Sequence, residues 1–401
     1  MDASLVYVSR LVKLPLRAAD GSTIGRIADV VVGPAPGGRA PEVVGFIGEV
    51  QRRRIFVNAA RVGTLTPNGI ELGSGTIDLR HFEKRPTEIL ARGELFDRRL
   101  DNEVVHDIAL RPSSLRPGGW TVAALALRPP RTLRRRARTR VVPWTEATAL
   151  FDFGPMGAQL GAMRGLHPAD IAAELRAMPL ERRRQLAGFL DDEKLADLLE
   201  EMPEDEQLGL IADLDIERLA DVIGEMEADD AADLIGEMSG SMRVQVLRAM
   251  DPEDAAPVQR LLIYDTNTAG GLMNPEPIIV SPDTTVSEAI ARMRDPDEPA
   301  ALAAQVFVTA MPTDTPTGRY LGVVGFQRLL REPPGMPVEK CIEDTTLPVA
   351  PDLPESVVAA QLAKYNLFAL PVCDDNGRLL GAVTVDDMLD HALRPDWEKQ
   401  K

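Results

Sequence analysis

The sequence predicts a multidomain α+β protein: a β-barrel-like N-terminal part, an α-helical solenoid, and two α/β units in tandem. Three observations predict it. Short strand-like runs separated by turn residues occupy residues 5 to about 150, and the apolar period becomes helical from about Leu166. Two matching helix–strand–strand–helix patterns then follow Met273. At 401 residues the chain exceeds one ordinary core, and 44% hydrophobic with 27% charged content suits globular domains rather than a disordered tail. The expected boundaries are 1–152 for the β part with an Arg-rich segment, 153–262 for the solenoid, 263–332 and 333–395 for the α/β units, and 396–401 for a tail.

In the first part, Val6-Tyr7-Val8, Ile27 to Val32, Val43 to Ile47 and Ile55-Phe56-Val57 read as strands. Asp20-Gly21, Pro36-Gly37-Gly38 and Asn68-Gly69 punctuate them as turns. Many short strands at close spacing make a small barrel or sandwich. The stretch Asp20-Gly21-Ser22-Thr23-Ile24-Gly25-Arg26-Ile27-Ala28-Asp29-Val30 resembles the opening hairpin of PRC-barrel domains. A looser echo runs from Leu100 to Ile108, followed by Trp120-Thr121-Val122. Such barrels serve as interaction modules in unrelated settings, so the resemblance implies a protein partner and no particular chemistry. Arg128, Arg131, Arg134, Arg135, Arg136, Arg138 and Arg140 then form a basic run beside Pro129-Pro130. Without interleaved aromatics it reads as a solvated loop, or a partner for acidic segments, rather than a nucleic-acid surface.

From about Leu166 a 24-residue repeat is expected. Leu190-Asp191-Asp192-Glu193-Lys194-Leu195-Ala196-Asp197 aligns with Leu214-Asp215-Ile216-Glu217-Arg218-Leu219-Ala220-Asp221, and Met178, Met202, Met226 and Met250 mark one phase. Leu195, Leu198, Leu199 and Met202 have helical spacing. Two short helices per repeat cannot bury their apolar faces alone, so stacking is the expected solution.

The charge is concentrated here. The chain has 62 acidic and 45 basic residues, net −17, and the span Leu190 to Glu237 holds 19 acids against Lys194 and Arg218, which accounts for the whole excess. Glu193, Asp197 and Glu201 fall at i, i+4, i+8, and Glu217, Asp221 and Glu225 repeat the pattern. Like charges at that spacing each cost about 0.2–0.5 kcal/mol. A hard dication such as magnesium, which takes oxygen ligands and keeps several waters, would turn that repulsion into attraction. Solvation, or helix capping at Asp229 and Asp230, is the competing reading.

After the joint from Tyr264 to Met273, helix-like Val286 to Met293, strands Gln305 to Val308 and Tyr320 to Val324, and helix Phe326 to Leu330 form one unit. Glu355 to Tyr365, Ala369 to Cys373, Leu379 to Val383 and Val385 to His391 form its counterpart. Such pairs resemble CBS domains. That resemblance implies a cleft for adenosine ligands, marked by a Gly-x-hydrophobic-Thr/Ser-x-x-Asp phrase. Gly381-Ala382-Val383-Thr384-Val385-Asp386-Asp387 carries it, so Gly381, Thr384 and Asp387 are the candidate ATP- or AMP-binding residues. Gly322-Val323-Val324-Gly325-Phe326-Gln327-Arg328 lacks both polar positions. Thr384 and Asp387 also suit a helix cap.

The order of acidic helices, joint and paired units over about Leu166 to Leu393 resembles the cytosolic region of MgtE-type magnesium transporters. Ala196-Asp197-Leu198-Leu199-Glu200-Glu201-Met202-Pro203 and Asp229-Asp230-Ala231-Ala232-Asp233-Leu234 look like that family's repeats. The resemblance implies magnesium ions that hold the solenoid against the CBS pair. Candidate metal residues are Asp197, Glu201, Asp221, Glu225, Asp229 and Asp233 on the solenoid, with Asp283, Asp386 and Asp390 on the CBS side. Asp295, Asp297, Glu298 and Asp387 are further carboxylates on that side. The resemblance also implies a homodimer through the CBS domains and a membrane transporter as partner.

No run reaches the roughly 18 apolar residues of a spanning helix. Met1-Asp2-Ala3-Ser4 does not open a signal peptide, so a cytoplasmic protein is expected, reaching a membrane only through a partner. Cys341 and Cys373, like the scattered His81, His106, His167 and His391, have no metal-ligand or catalytic spacing. With no nucleophile elbow, P-loop or dinucleotide phrase, a non-enzymatic regulator is the expected class. A magnesium sensor is the leading reading, and a nucleotide-responsive adaptor the alternative.

Overall fold

A computed structural model describes residues 5–18, 21–35, 38–50, 53–66, 69–73, 82, 84–113, 118–129, 139–163, 166–294, 301–342 and 347–393, without the side chains of 204, 205 and 390–393. Most of the arginine run, and Asp295, Asp297 and Glu298, lie outside the described residues. The chain divides into two units, Met1–His167 and Pro168–Lys401.

The first unit strings together β1 (Val6–Tyr7), α1 (Val8–Leu11), β2 (Pro15–Arg17), β3 (Thr23–Gly33), β4 (Glu42–Val50), β5 (Arg53–Asn58), β6 (Val62–Thr66) and β7 (Gly69–Leu72). It continues with β8 (Ile89–Leu90), a wide helical turn (Ala91–Leu95), β9 (Arg99–Leu100), β10 (Glu103–Pro112), β11 (Trp120–Arg128), β12 (Arg140–Pro143) and α2 (Gly154–Met163). Val8, expected to extend the first strand, begins α1 instead. All twelve strands belong to one sheet, ordered β1-β10-β11-β4-β3-β2-β7-β6, with β12, β5, β8 and β9 pairing off that path. It curls into a nearly closed barrel whose apolar side chains, including Leu16, Ile27, Phe46, Ile55, Ile108 and Leu125, fill the inside. A barrel-like N-terminus is therefore what the short strands build.

The second unit opens with eight helices, α3 (Pro168–Arg176), α4 (Leu180–Ala187), α5 (Asp192–Glu200), α6 (Glu204–Ile211), α7 (Ile216–Gly224), α8 (Ala228–Glu237), α9 (Gly240–Ala249) and α10 (Pro252–Leu261). They pack in two rows, α3-α5-α7-α9 and α4-α6-α8-α10. Leu195, Leu198, Leu199 and Met202 are all buried, as their spacing requires. Asp191, Asp215, Ser239 and Asp251 start α5, α7, α9 and α10 by accepting a backbone N–H on their side chains. Arginines close the C-terminal ends of α3 and α8. Arg183 donates to the Arg176 and Met178 carbonyls, and Arg243 to those of Ile235 and Gly236.

The tandem α/β units follow: β13 (Ile279–Val280), α11 (Val286–Arg292), β14 (Gln305–Ala310), β15 (Arg319–Gly325) and α12 (Phe326–Leu329), then α13 (Glu355–Tyr365), β16 (Ala369–Cys373), β17 (Leu379–Thr384) and α14 (Val385–Leu393). Phe307 and Val323 of one sheet share a core with Ala369, Cys373, Leu379 and Ala382 of the other. The joint is stitched into this core. Asn274 exchanges both backbone hydrogen bonds with Ala382 on β17, each 2.9 Å. Gly381 beside it is obligatory, because a Cβ there would lie 2.5 Å from the Asn274 carbonyl oxygen.

Candidate functional site

The acidic ridge is less uniform than its spacing suggests. Asp197 sits half-buried on α5, and burial together with Glu193 pushes its carboxyl up to about 6. Glu201 is exposed and caps the C-terminal end of α5, and half-buried Glu225 does the same for α7. Carboxylates at that end face the negative pole of the helix, which disfavours them further. Asp221 lies half-buried on α7. Arg218, one of only two bases in the acidic span, is already spent. Its guanidinium pairs with Asp192 at 3.2 Å and donates to the Gly188 and Leu190 carbonyls.

The stronger concentration forms where α8, tied to α5 in the helical stack, comes near α14. Glu227 stands at the N-cap of α8, with Asp229 and Asp230 in the first turn. Its backbone N–H donates to Glu200 Oε1 at 2.8 Å, tying α8 to α5. Its own Oε2 accepts from Asn274 Nδ2 at 3.2 Å, which ties α8 to the joint. Asp386 and Asp387 open α14. These groups feel one another. Burial and then Asp230 push Glu200 up to about 8, while burial and then Asp387 push Glu227 to about 7. Burial, followed by Asp387, also raises Asp229 well above the carboxylate range. Asp387 is pushed to about 6 by burial, with Asp230 and Asp386 adding to the shift and bonds from Thr384 opposing it.

Asp229 is buried, and among the described residues its Oδ1 has no hydrogen-bond partner. An orphaned carboxylate oxygen under a layer of other carboxylates fits a hard cation, which binds oxygen and removes the desolvation cost. Among the described residues no three His, Cys, Asp or Glu side chains form a ready chelate.

Of the candidate metal residues, Asp229 lies in this cluster with Asp197 and Asp386 beside it, and Asp233 follows on α8, half-buried. Asp390 lies on α14, its side chain outside the described residues. Asp283 is elsewhere. Exposed in the turn before α11, it accepts from Ser281 Oγ at 2.6 Å, which holds its carboxyl below the usual range. Glu200, Glu227 and Asp230 were absent from the candidate set. Glu227 had a signal, an acidic residue just ahead of a predicted helix start; Glu200 had none beyond its place in an acidic run.

In the α/β phrase, Thr384 and Asp387 bond each other's backbones: Thr384 N donates to Asp387 Oδ2 at 3.2 Å, and Asp387 N to Thr384 Oγ1 at 3.1 Å. This reciprocal pair caps α14. Gly381 permits the close joint described above. In the other unit, an open cavity of about 380 Å³ is lined by Gln327, Arg328, Arg331, Cys341 and Ile342.

Comparison with known proteins matches residues 166–267 to the MgtE intracellular N domain, 269–335 and 338–394 to CBS domains, and 89–152 to an actinomycete SH3 domain. The "Magnesium transporter MgtE" of Thermus thermophilus is 34% identical over 135 residues, covering 34% of this chain and 29% of that protein. That of Bacillus subtilis is 26% identical over 145 residues, covering 35% and 31%. The chain thus spans under a third of these relatives' length. A crystal structure of the cytosolic domain of the Mg2+ channel MgtE in complex with ATP aligns with TM-score 0.54 and 28% identity over 61% of this chain and 98% of that one. The soluble part of a magnesium transporter aligns with TM-score 0.53 and 25% identity over 59% and 91%. Among the described residues no helix is long and apolar enough to cross a membrane.

Proposed function

With the helical stack and CBS pair of this chain homologous to the cytosolic domains of MgtE magnesium transporters, we propose a non-enzymatic, magnesium-responsive regulatory module. Dications neutralise the carboxylates where α8, backed by Glu200 of α5, faces α14 and so hold the stack against the CBS pair. One observation carries the reading: the unpartnered, buried Oδ1 of Asp229 in the field of Asp387. When bound, magnesium supplies positive charge without bulk. The residues around it do the positioning, with Asn274 fixing Glu227 and the Thr384–Asp387 cap fixing Asp387. The module acts in the cytoplasm on a membrane transporter or another protein partner reached through the barrel, as a dimer through its CBS domains.

Calorimetric titration with magnesium tests this, alongside limited proteolysis of the Tyr264-to-Met273 joint. Saturable heat and slowed cleavage at millimolar magnesium are expected, with both lost in a Glu227→Gln, Asp229→Asn, Asp387→Asn variant. A titration that leaves cleavage unchanged would overturn the reading. An adenine-nucleotide input is the second reading, favoured by the Gly381-to-Asp387 phrase and by the ATP complex of the MgtE relative. It predicts protection of the same joint by ATP without magnesium.

A further inference from the structure

The barrel is built twice. β1-α1-β2-β3-β4-β5 and β8-turn-β9-β10-β11-β12 run in the same order, and each chain of neighbours is antiparallel in the same way. Details repeat at matching places. β3 breaks register between Ile27 and Asp29, and β10 between Val105 and Asp107. Lys13 and Asp97, each just past its helical turn, both take positive φ, +78° and +63°. Each makes the equivalent bond: Lys13 N to Ile27 O at 2.7 Å, and Asp97 N to Val105 O at 2.8 Å. The return bonds, Ile27 N to Leu14 O and Val105 N to Arg98 O, are both 2.9 Å.

The opening segments are exchanged. β1 pairs with β10 of the later copy, and β8 pairs with β3 of the earlier one. The aspartate at each register break locks the crossing. Asp29 accepts from the backbone N–H groups of Arg92 (2.7 Å) and Gly93 (2.9 Å) in the later copy's helical turn. Asp107 accepts from Ser9 N (3.0 Å) and from the Ser9 hydroxyl in the earlier copy's α1. Each carboxylate also accepts its own next N–H, from Val30 and Ile108. Free amides at the start of a helical turn are orphan donors that a carboxylate satisfies well.

We propose that residues 6–58 and 89–143 are two copies of one half-barrel, each presenting a docking surface for a second copy of itself. That surface is the edge of the long strand plus its register-break aspartate, and its occupant is a two-residue strand running into a helical turn. In this chain the two copies fill each other's sites, so the covalent connection between them is dispensable for holding the barrel together.

The test replaces residues 74–80 of the full chain with a protease recognition sequence. After cutting, the two pieces are expected to co-elute in native size exclusion and to part only in denaturant. In uncut protein, Asp29→Asn is expected to speed amide exchange at Arg92 and Gly93 about tenfold or more, leaving Ser9 unchanged, while Asp107→Asn does the reverse. Should Asp107→Asn fail to fold, Ser9→Ala keeps the N–H bond to Asp107 and loses the hydroxyl bond, and is expected to accelerate exchange of the amide at position 9 while leaving Arg92 and Gly93 unchanged. Pieces that separate without denaturant overturn the proposal, as does exchange at the distant amides that ignores the aspartates.

Discussion

Asp229 holds a carboxyl oxygen out of water with nothing to bond it, while Asp387 acts on it from α14. Leaving such a group unpaired costs about 1–3 kcal/mol or more. Asp229→Asn keeps the shape but cannot ionise beside Asp387, so the magnesium-free protein is expected to lose less stability as pH rises and to lose most of its magnesium-dependent rise in Tm. Thermal melts across pH, with and without the ion, check both. The neighbouring carboxyls set a pH dependence. Glu200 and Glu227, folded, are pushed to about 8 and about 7, whereas unfolded glutamate titrates near 4.3. Below that value both states hold the protons. Above it the unfolded chain releases them while the folded one does not, so rising pH favours unfolding until the folded groups ionise as well. Urea midpoints of magnesium-free protein are therefore expected to fall steadily from about pH 5 to about pH 8. Magnesium, which competes with those protons, is expected to flatten the decline.

The helix ends sort the carboxylates by role. Asp229, Asp230, Asp386 and Asp387 lie in the first turns of α8 and α14, where the positive end of the helix favours them one helix at a time. Bringing those two ends together sets their carboxylates against one another. Glu201 and Glu225 lie at the opposite poles of α5 and α7. Replacing Asp197, Glu201, Asp221 and Glu225 with their amides removes four like-charge i, i+4 pairs, worth about 1–2 kcal/mol together. That variant is expected to stabilise the metal-free protein slightly and to weaken the calorimetric magnesium response, whereas amides at Glu227, Asp229 and Asp387 abolish it. Equal effects from the two sets would show that the whole ridge, and not the α8–α14 meeting point, holds the ions.

At the scale of the whole molecule, the joint is the element both readings depend on. Asn274 bonds β17 through its backbone and Glu227 through its side chain, so one residue connects the CBS core to the helical stack. Gly381→Ala would drive a Cβ into the Asn274 carbonyl and against Met273. A backbone clash of this kind costs about 1–3 kcal/mol. The variant is expected to be cleaved faster at Tyr264 to Met273 and to need more magnesium for protection, as a protease titration would read out.

By itself the sequence determined the order of parts and much of their local form. Periods of two and 3.6 residues placed β16 and α13 at the expected residues, because strand and helix impose those periods on whatever is buried. The Thr384–Asp387 spacing likewise spelled a cap, which needs only neighbouring atoms. Tertiary structure decided what no local pattern encodes. Glu227 and Asp230 face Asp387 because α8 comes near α14, and Glu200 reaches them through the Glu227 backbone, while Asp283, equally acidic, stays in a solvated turn with Ser281. Asp29 and Asp107, too, find their amides across 63 and 98 residues of chain. Charge density along a chain is a local property. Desolvation, and the meeting of charges from distant segments, exist only once the chain has folded.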